Sequence, residues 1–236
     1  MQEVYMLTNL IQELQSKATL EKAKIYQKFF KTGKGEYGEG DIFIGLTVPE
    51  QRVLAKKYVD LEFIGVKKLL DNNVHEYRLT GLLILVYKFE KANQEEQKQI
   101  VNFYLRNIAS SNNWDLIDCI ADKILGKYLI DKDKKILYDF AKSDNLWKKR
   151  IAIISTFEFI KNNQFEDTLK ISEILLNDKH DLIHKAVGWM LREIGKRYQK
   201  TEEEFLKKHY KKMPRTMLRY AIERFDKDKK QFYLKK

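Results

Sequence analysis

The chain has 236 residues, 44% of them hydrophobic and 33% charged, with a formal net charge of +11. That length and apolar content suffice for a sizeable core and exclude a disordered chain. The single cysteine, Cys119, excludes an intramolecular disulfide and fits a reducing cytoplasm, and the longest apolar run, "GLLILVY" from Gly81, is too short to cross a bilayer.

The opening "MQEVYMLTNLIQELQSK" carries early acidic residues and lacks a signal-peptide apolar core, so a soluble cytoplasmic protein with no membrane partner is expected. Only 2 prolines and 10 glycines occur, which favours helices throughout. Apolar periodicity predicts helices near 3–16, 19–31, 49–59, 63–71, 74–91, 94–109 and 114–128. It predicts further helices near 132–142, 146–162, 166–176, 181–198, 201–212 and 214–226. Short polar runs such as "KANQ", "SSNN" and "KSDN" separate them and supply Asn, Asp or Ser as N-caps. Between the second and third helices, residues 32–48 form a Gly-rich loop ending at Pro49. Its Gly33, Gly35 and Gly38 match G-x-G-x-x-G but follow a helix instead of a strand, so no dinucleotide or P-loop site is expected. The end, residues 227–236, is either a helix extension or a loose basic tail.

A repeat underlies the helices. Aligning Arg78, Cys119, Arg150, Lys185 and Tyr220 gives steps of 41, 31, 35 and 35 residues, the length of a helix pair, with small residues following at Thr80, Ala152, Ala186 and Ala221. The predicted architecture is all-α: one domain over residues 1–236, a curved α-solenoid of HEAT-like helical pairs with a basic concave face. A non-repetitive bundle is the alternative. The positive charge suggests a polyanionic partner, nucleic acid first, against a reading in which lysine is generic surface.

Three places break the amphipathic rule. In "NNWDLIDCIADKIL", Trp114 sits at the edge of the apolar arc and Asp118 one turn further along that edge. Asp118 is either ion-paired with a neighbouring cation or a partly desolvated, functional carboxylate. In "WKKRIAI", Arg150 lies within an apolar arc beside Trp147 and needs an anion, from a carboxylate such as Asp118 or from a phosphate; Lys148 and Lys149 precede it. In "LIHKAVGWMLREIGK", Trp189 falls among Lys185, Arg192 and Lys196, where a planar ring within a basic stripe suits nucleic-acid contact. Arg215 and Arg219 extend the positive charge on later helices. His180 and His184 lack the glutamate of a zinc helix, no cysteine pair exists, and Cys119 has no evident histidine partner, so neither a metal site nor a thiol nucleophile is expected.

Together, "FIGLTVPEQR", "NWDLID", "SDNLWKKRIAI" and "HKAVGWMLRE", in this order, resemble the AlkD-type DNA glycosylases of the DNA alkylation repair family, a HEAT-like-repeat family, over roughly residues 20 to 225. The resemblance implies a monomeric enzyme, without cofactor, that cleaves the N-glycosidic bond of cationic N3- and N7-alkylated purines in double-stranded DNA. It assigns the catalytic aspartate to Asp118, the site tryptophans to Trp114 and Trp189, and the site arginine to Arg150, with Tyr26 as an N-terminal site tyrosine. It also implies chemistry without insertion of the base into a deep pocket. Asn113 stands where the family often has a second aromatic, and the Gly-rich loop is longer than in some members. Some relatives of this fold bind DNA without excising bases.

Overall fold

The computed structural model describes residues 2–235. Among them the regular elements are helical, apart from one isolated parallel bridge between Ile42 and Val74. By their packing the residues fall into two compact units, 1–120 and 121–236. Each is all-α, and the repeated helix pairs give a solenoid-like fold.

The first unit holds α1 (Gln2–Ser16), α2 (Leu20–Phe29), α3 (Val48–Lys57), α4 (Phe63–Leu70), α5 (His75–Lys91), α6 (Gln94–Arg106) and α7 (Trp114–Asp118). Its centre is α5, which packs against α3, α4, α6 and α7. Every residue of α5 from His75 to Val86 is buried, as expected of a helix surrounded by others. The helix after the Gly-rich loop starts one residue before Pro49, where Thr47 and Glu50 form a reciprocal capping box. The loop itself is ordered. Gly45 adopts a left-handed φ of 89°, and a Cβ there would stand 2.2 Å from the Thr19 carbonyl oxygen, so only glycine fits.

The second unit continues through α8 (Lys127–Leu129), α9 (Lys135–Ala141), α10 (Leu146–Lys161), α11 (Glu166–Ile174), α12 (Asp181–Gly195), α13 (Gln199–His209), α14 (Arg215–Ala221) and α15 (Lys227–Leu234). Here α10 lies against α12, and α12 against α14, so the second helices of successive pairs stack side by side. The first helices α9 and α11 pack on α10, and α13 on α12. The small residues of the repeat, Ala152, Ala186 and Ala221, are all fully buried. Small side chains at those positions let neighbouring helices approach.

Two expectations require correction. The predicted helix over 114–128 is not continuous: α7 ends at Asp118, and a π-helical segment, Asp122–Gly126, precedes α8. The Gly126 N–H reaches back five residues to the Ala121 carbonyl at 2.9 Å. Such a segment accommodates one residue more than an α-turn, and Leu116, Ile117, Ile120, Ala121 and Ile124 all remain fully buried. Nor is the C-terminal segment a loose tail up to residue 235. The Asp226 side chain caps α15 by accepting the Lys229 N–H at 2.8 Å, and Tyr233 is buried edge-on to Tyr210 and Phe225. Burial of that ring outweighs the repulsion among the lysines.

Candidate functional site

The start of α5 places three ionisable residues, His75, Glu76 and Arg78, where no solvent-facing side exists. Each is neutralised by a long-range partner. The His75 ring bridges two carboxylates, Asp41 through Nδ1 at 2.9 Å and Asp115 through Nε2 at 2.8 Å. Arg78 donates to Asp41 Oδ1 at 2.7 Å and to the Asn72 carbonyl at 2.9 Å. Glu76 accepts the backbone N–H groups of Ile44, Gly45 and Leu46 at 2.8 to 3.3 Å, holding the loop to α5. Burial alone would lower the His75 pKa, but the charges and hydrogen bonds of Asp115 and Asp41 outweigh it and push it up to about 9. For Asp41 burial raises the pKa, and the His75 and Arg78 contacts more than reverse this, leaving it lowered.

This network anchors the single turn that carries two of the predicted site residues. In α7, Asp115, Leu116 and Ile117 point inward and are buried, Asp115 against His75 and the other two in the core. Trp114 and Asp118, four residues apart, are left on one face of the turn, both half-buried. The Asn113 side chain accepts the Trp114 N–H at 2.8 Å and starts the turn. The Trp114 ring stacks on Phe30 with centroids 5.2 Å apart and meets Phe29 edge-on at 5.9 Å. Tyr26 stands in the same aromatic group, edge-on to Phe30 and Phe43. The structure therefore brings Tyr26, Trp114 and Asp118 into one unit and one neighbourhood of α2 and α7.

Within the second unit, Arg150 on α10 is buried, and its guanidinium donates to the Leu182 carbonyl at the start of α12 at 2.5 Å. Trp189 on α12 is half-buried, tilted against Phe157 at 5.8 Å, and its indole N–H donates to Glu193 at 3.1 Å. Glu193 also takes Lys196 at 2.5 Å and lies within 4.0 Å of Arg192. The stripe around Trp189 thus contains a buried carboxylate, and its cations are partly neutralised. Arg192 is further paired with Glu223, and Lys185 with Asp181 at 2.7 Å. Of the remaining basic residues, Lys149 pairs with Asp178 at 2.7 Å and Lys148 lies over the Phe140 ring at 5.7 Å. Arg215 donates to the Leu234 carbonyl, and Arg219 is exposed.

Sequence reasoning missed the network of Asp41, His75, Glu76 and Asp115, and it missed Glu193. A signal existed for the first. "HEYR" puts three ionisable residues at the head of the long apolar run "LTGLLILV", leaving no face on which to solvate them. Glu193 lies at i+4 from Trp189, the spacing that puts it beside the ring. Among the described residues, no group of three His, Cys, Asp or Glu side chains could hold a metal ion, and no helix is long and apolar enough to cross a membrane.

Comparison with known proteins agrees with this arrangement at the level of the fold. A solved structure described as a predicted DNA alkylation repair enzyme from Enterococcus faecalis superposes with a TM-score of 0.70. The match covers 89% of this chain and 97% of that one at 17% identity, which speaks for the fold alone. A search of curated proteins gives no match. The family model described as DNA alkylation repair enzyme matches residues 10–225, nearly the whole chain. The chain belongs to the DNA alkylation repair enzyme family, which points to DNA repair as its role and DNA as its partner.

Proposed function

We propose that the protein is a monofunctional DNA glycosylase that releases cationic N3- and N7-alkylated purines from duplex DNA. The observation that carries this reading is α7. Its inward residues are fixed by a buried ionic network, and its outer face presents an aromatic ring and a carboxylate one turn apart. A surface built only to hold phosphates would place cations there.

An alkylated purine is already a cation, so its bond to C1′ breaks with little assistance. The base leaves with the bonding electron pair and loses its positive charge, while positive charge grows on the sugar, as in other glycoside cleavages. Asp118 stabilises that charge and orients the water that attacks C1′, accepting the proton the water sheds. Trp114 holds the lesion nucleotide through contacts of its ring with the cationic base and sugar, and Trp189 shares that role. Arg150, Lys185, Arg192 and Lys196 hold the backbone, together with Lys148, Lys149, Arg215 and Arg219.

Single-turnover release of 7-methylguanine from methylated duplex tests the assignment. Asp118→Asn keeps the size and loses the charge, and release is expected to fall about 100-fold or more while duplex affinity is retained. Release by Asp118→Asn at the wild-type rate would remove Asp118 from the chemistry. Duplex binding by the wild type with no release above the spontaneous rate, for this lesion and for 3-methyladenine, would instead indicate a non-catalytic DNA-binding protein.

A further inference from the structure

Beside α7 the first unit contains a cavity of about 270 Å³, lined by residues that include Tyr26, Phe29, Phe30, Phe43, His75 and Asp115. The volume is near the lower end for small-molecule sites, which suits one or two fused rings more than a larger ligand. Four of these side chains are aromatic, and Phe30 and Phe43 stack with centroids 4.8 Å apart. At the rim, Ile25 and Phe29 are 57% and 60% exposed, so the cavity has an open side.

The polar part of the wall is unbalanced in two respects. Asp115 Oδ2 bonds to His75, whereas its other oxygen, Oδ1, is buried with no hydrogen-bond donor among the described residues. The Asp115 side chain is only 9% exposed, so water does not compensate freely. A buried carboxylate oxygen left without a donor is destabilising until a donor reaches it. The second imbalance is charge. By formal charge, the carboxylates of Asp41, Glu76 and Asp115 outnumber the cations His75 and Arg78 by one, and Glu76 is already occupied by backbone N–H groups. Aromatic faces with one surplus negative charge behind them favour a flat cation.

We propose that this cavity binds a flat, cationic heteroaromatic base, which stacks against the aromatic wall and donates an N–H to Asp115 Oδ1. Naming that base as an alkylpurine rests on the proposed glycosylase activity; the pocket chemistry does not. Such a pocket departs from the expectation that this family works without burying the base.

Calorimetric titration at pH 6.5 with 7-methylguanosine, a cation with N–H donors, against neutral guanosine tests the proposal. The methylated nucleoside is expected to bind at least tenfold more tightly. Ile25→Trp, at the exposed rim, is expected to abolish this binding with an unchanged melting temperature, and Asp115→Asn to abolish the preference for the cation. Equal affinity for the two nucleosides, or full binding by Ile25→Trp, overturns the proposal. Because nucleoside binding is scored without excision, the two readings fail separately. A wild type that binds 7-methylguanosine but releases no base keeps the pocket and loses the glycosylase. One that releases base but binds no nucleoside loses the pocket alone. Methylated duplex then identifies the source of the base: slowed release by Ile25→Trp indicates a base drawn from the helix, and an unchanged rate indicates capture of the free base.

Discussion

Imidazole between two carboxylates, as at His75, exchanges a proton with consequences for stability. Its folded pKa of about 9 lies above the unfolded value of about 6.5, so the folded state holds a proton that the unfolded chain gives up. The stabilisation is therefore complete below pH 6.5 and is lost as pH rises through 9. Urea unfolding should show stability falling by on the order of 2–3 kcal/mol between pH 6.5 and 9.5. His75→Gln should be less stable at pH 6.5 and should lack most of that slope. An equal slope in the two proteins would mean that the His75 pair is not the group that titrates. Because Asp115 belongs to α7, the same loss of charge should loosen the turn bearing Trp114 and Asp118. Glu193 shows the complementary case on α12: one buried carboxylate gathers the Trp189 N–H and the cations beside it. The apolar arc of α12 was legible in the sequence, and so was the place of Trp189 at its edge. The sharing of the cations with Glu193, Glu223 and Asp181 was not, because one turn of helix brings several partners within reach and sequence does not choose among them.

Among the helices, the spacing is set by where side chains are missing. Gly188 on α12 faces α14 so closely that a Cβ would stand 2.4 Å from the Met217 carbonyl oxygen and 2.5 Å from Tyr220 Cβ. Backbone cannot yield as a flexible side chain can, so Gly188→Ala must push the two helices apart. A loss of about 1–3 kcal/mol is expected, and for a chain of this size each kcal/mol lowers the melting temperature by about 2–4 °C. A melting temperature within about 1 °C of wild type would contradict the close packing of α12 on α14. The periodicity that predicted α12 and its neighbours is a property of ten to fifteen consecutive residues, which is why their positions were readable. The break after Asp118 was not, because the same apolar residues face inward in a continuous α-helix and in one with a π-helical segment.

Across the whole molecule, the formal charge of +11 and the family membership both point to DNA. Many of the predicted contact residues are paired with carboxylates in the free protein: Lys149 with Asp178, Lys185 with Asp181, Arg192 with Glu223 and Lys196 with Glu193. Phosphates must compete with those partners, so binding should exchange ion pairs as well as release counterions. With six or more phosphates engaged, raising salt from 50 to 200 mM should weaken duplex affinity by on the order of 10³-fold. Affinity that stays constant over this range would exclude phosphate contact as the main source of binding. No such loss is expected for nucleoside binding in the aromatic cavity, which involves no phosphate.

By itself the sequence determined the fold class and the repeated helix pairs. It also determined which residues depart from the amphipathic pattern: Trp114 and Asp118, Arg150, and Trp189. These follow from spacing within a few turns of chain, where helical geometry fixes which side chains share a face. The tertiary structure alone decided that α7 is held by Asp115 on His75, that His75 is clasped by Asp41 from the Gly-rich loop, and that a cavity lies among the aromatic rings beside them. His75 is separated from Asp41 by 34 residues and from Asp115 by 40. Partners that distant are chosen by the packing of α2, α5 and α7 around a common core, and a periodic pattern within any one helix carries no record of that choice.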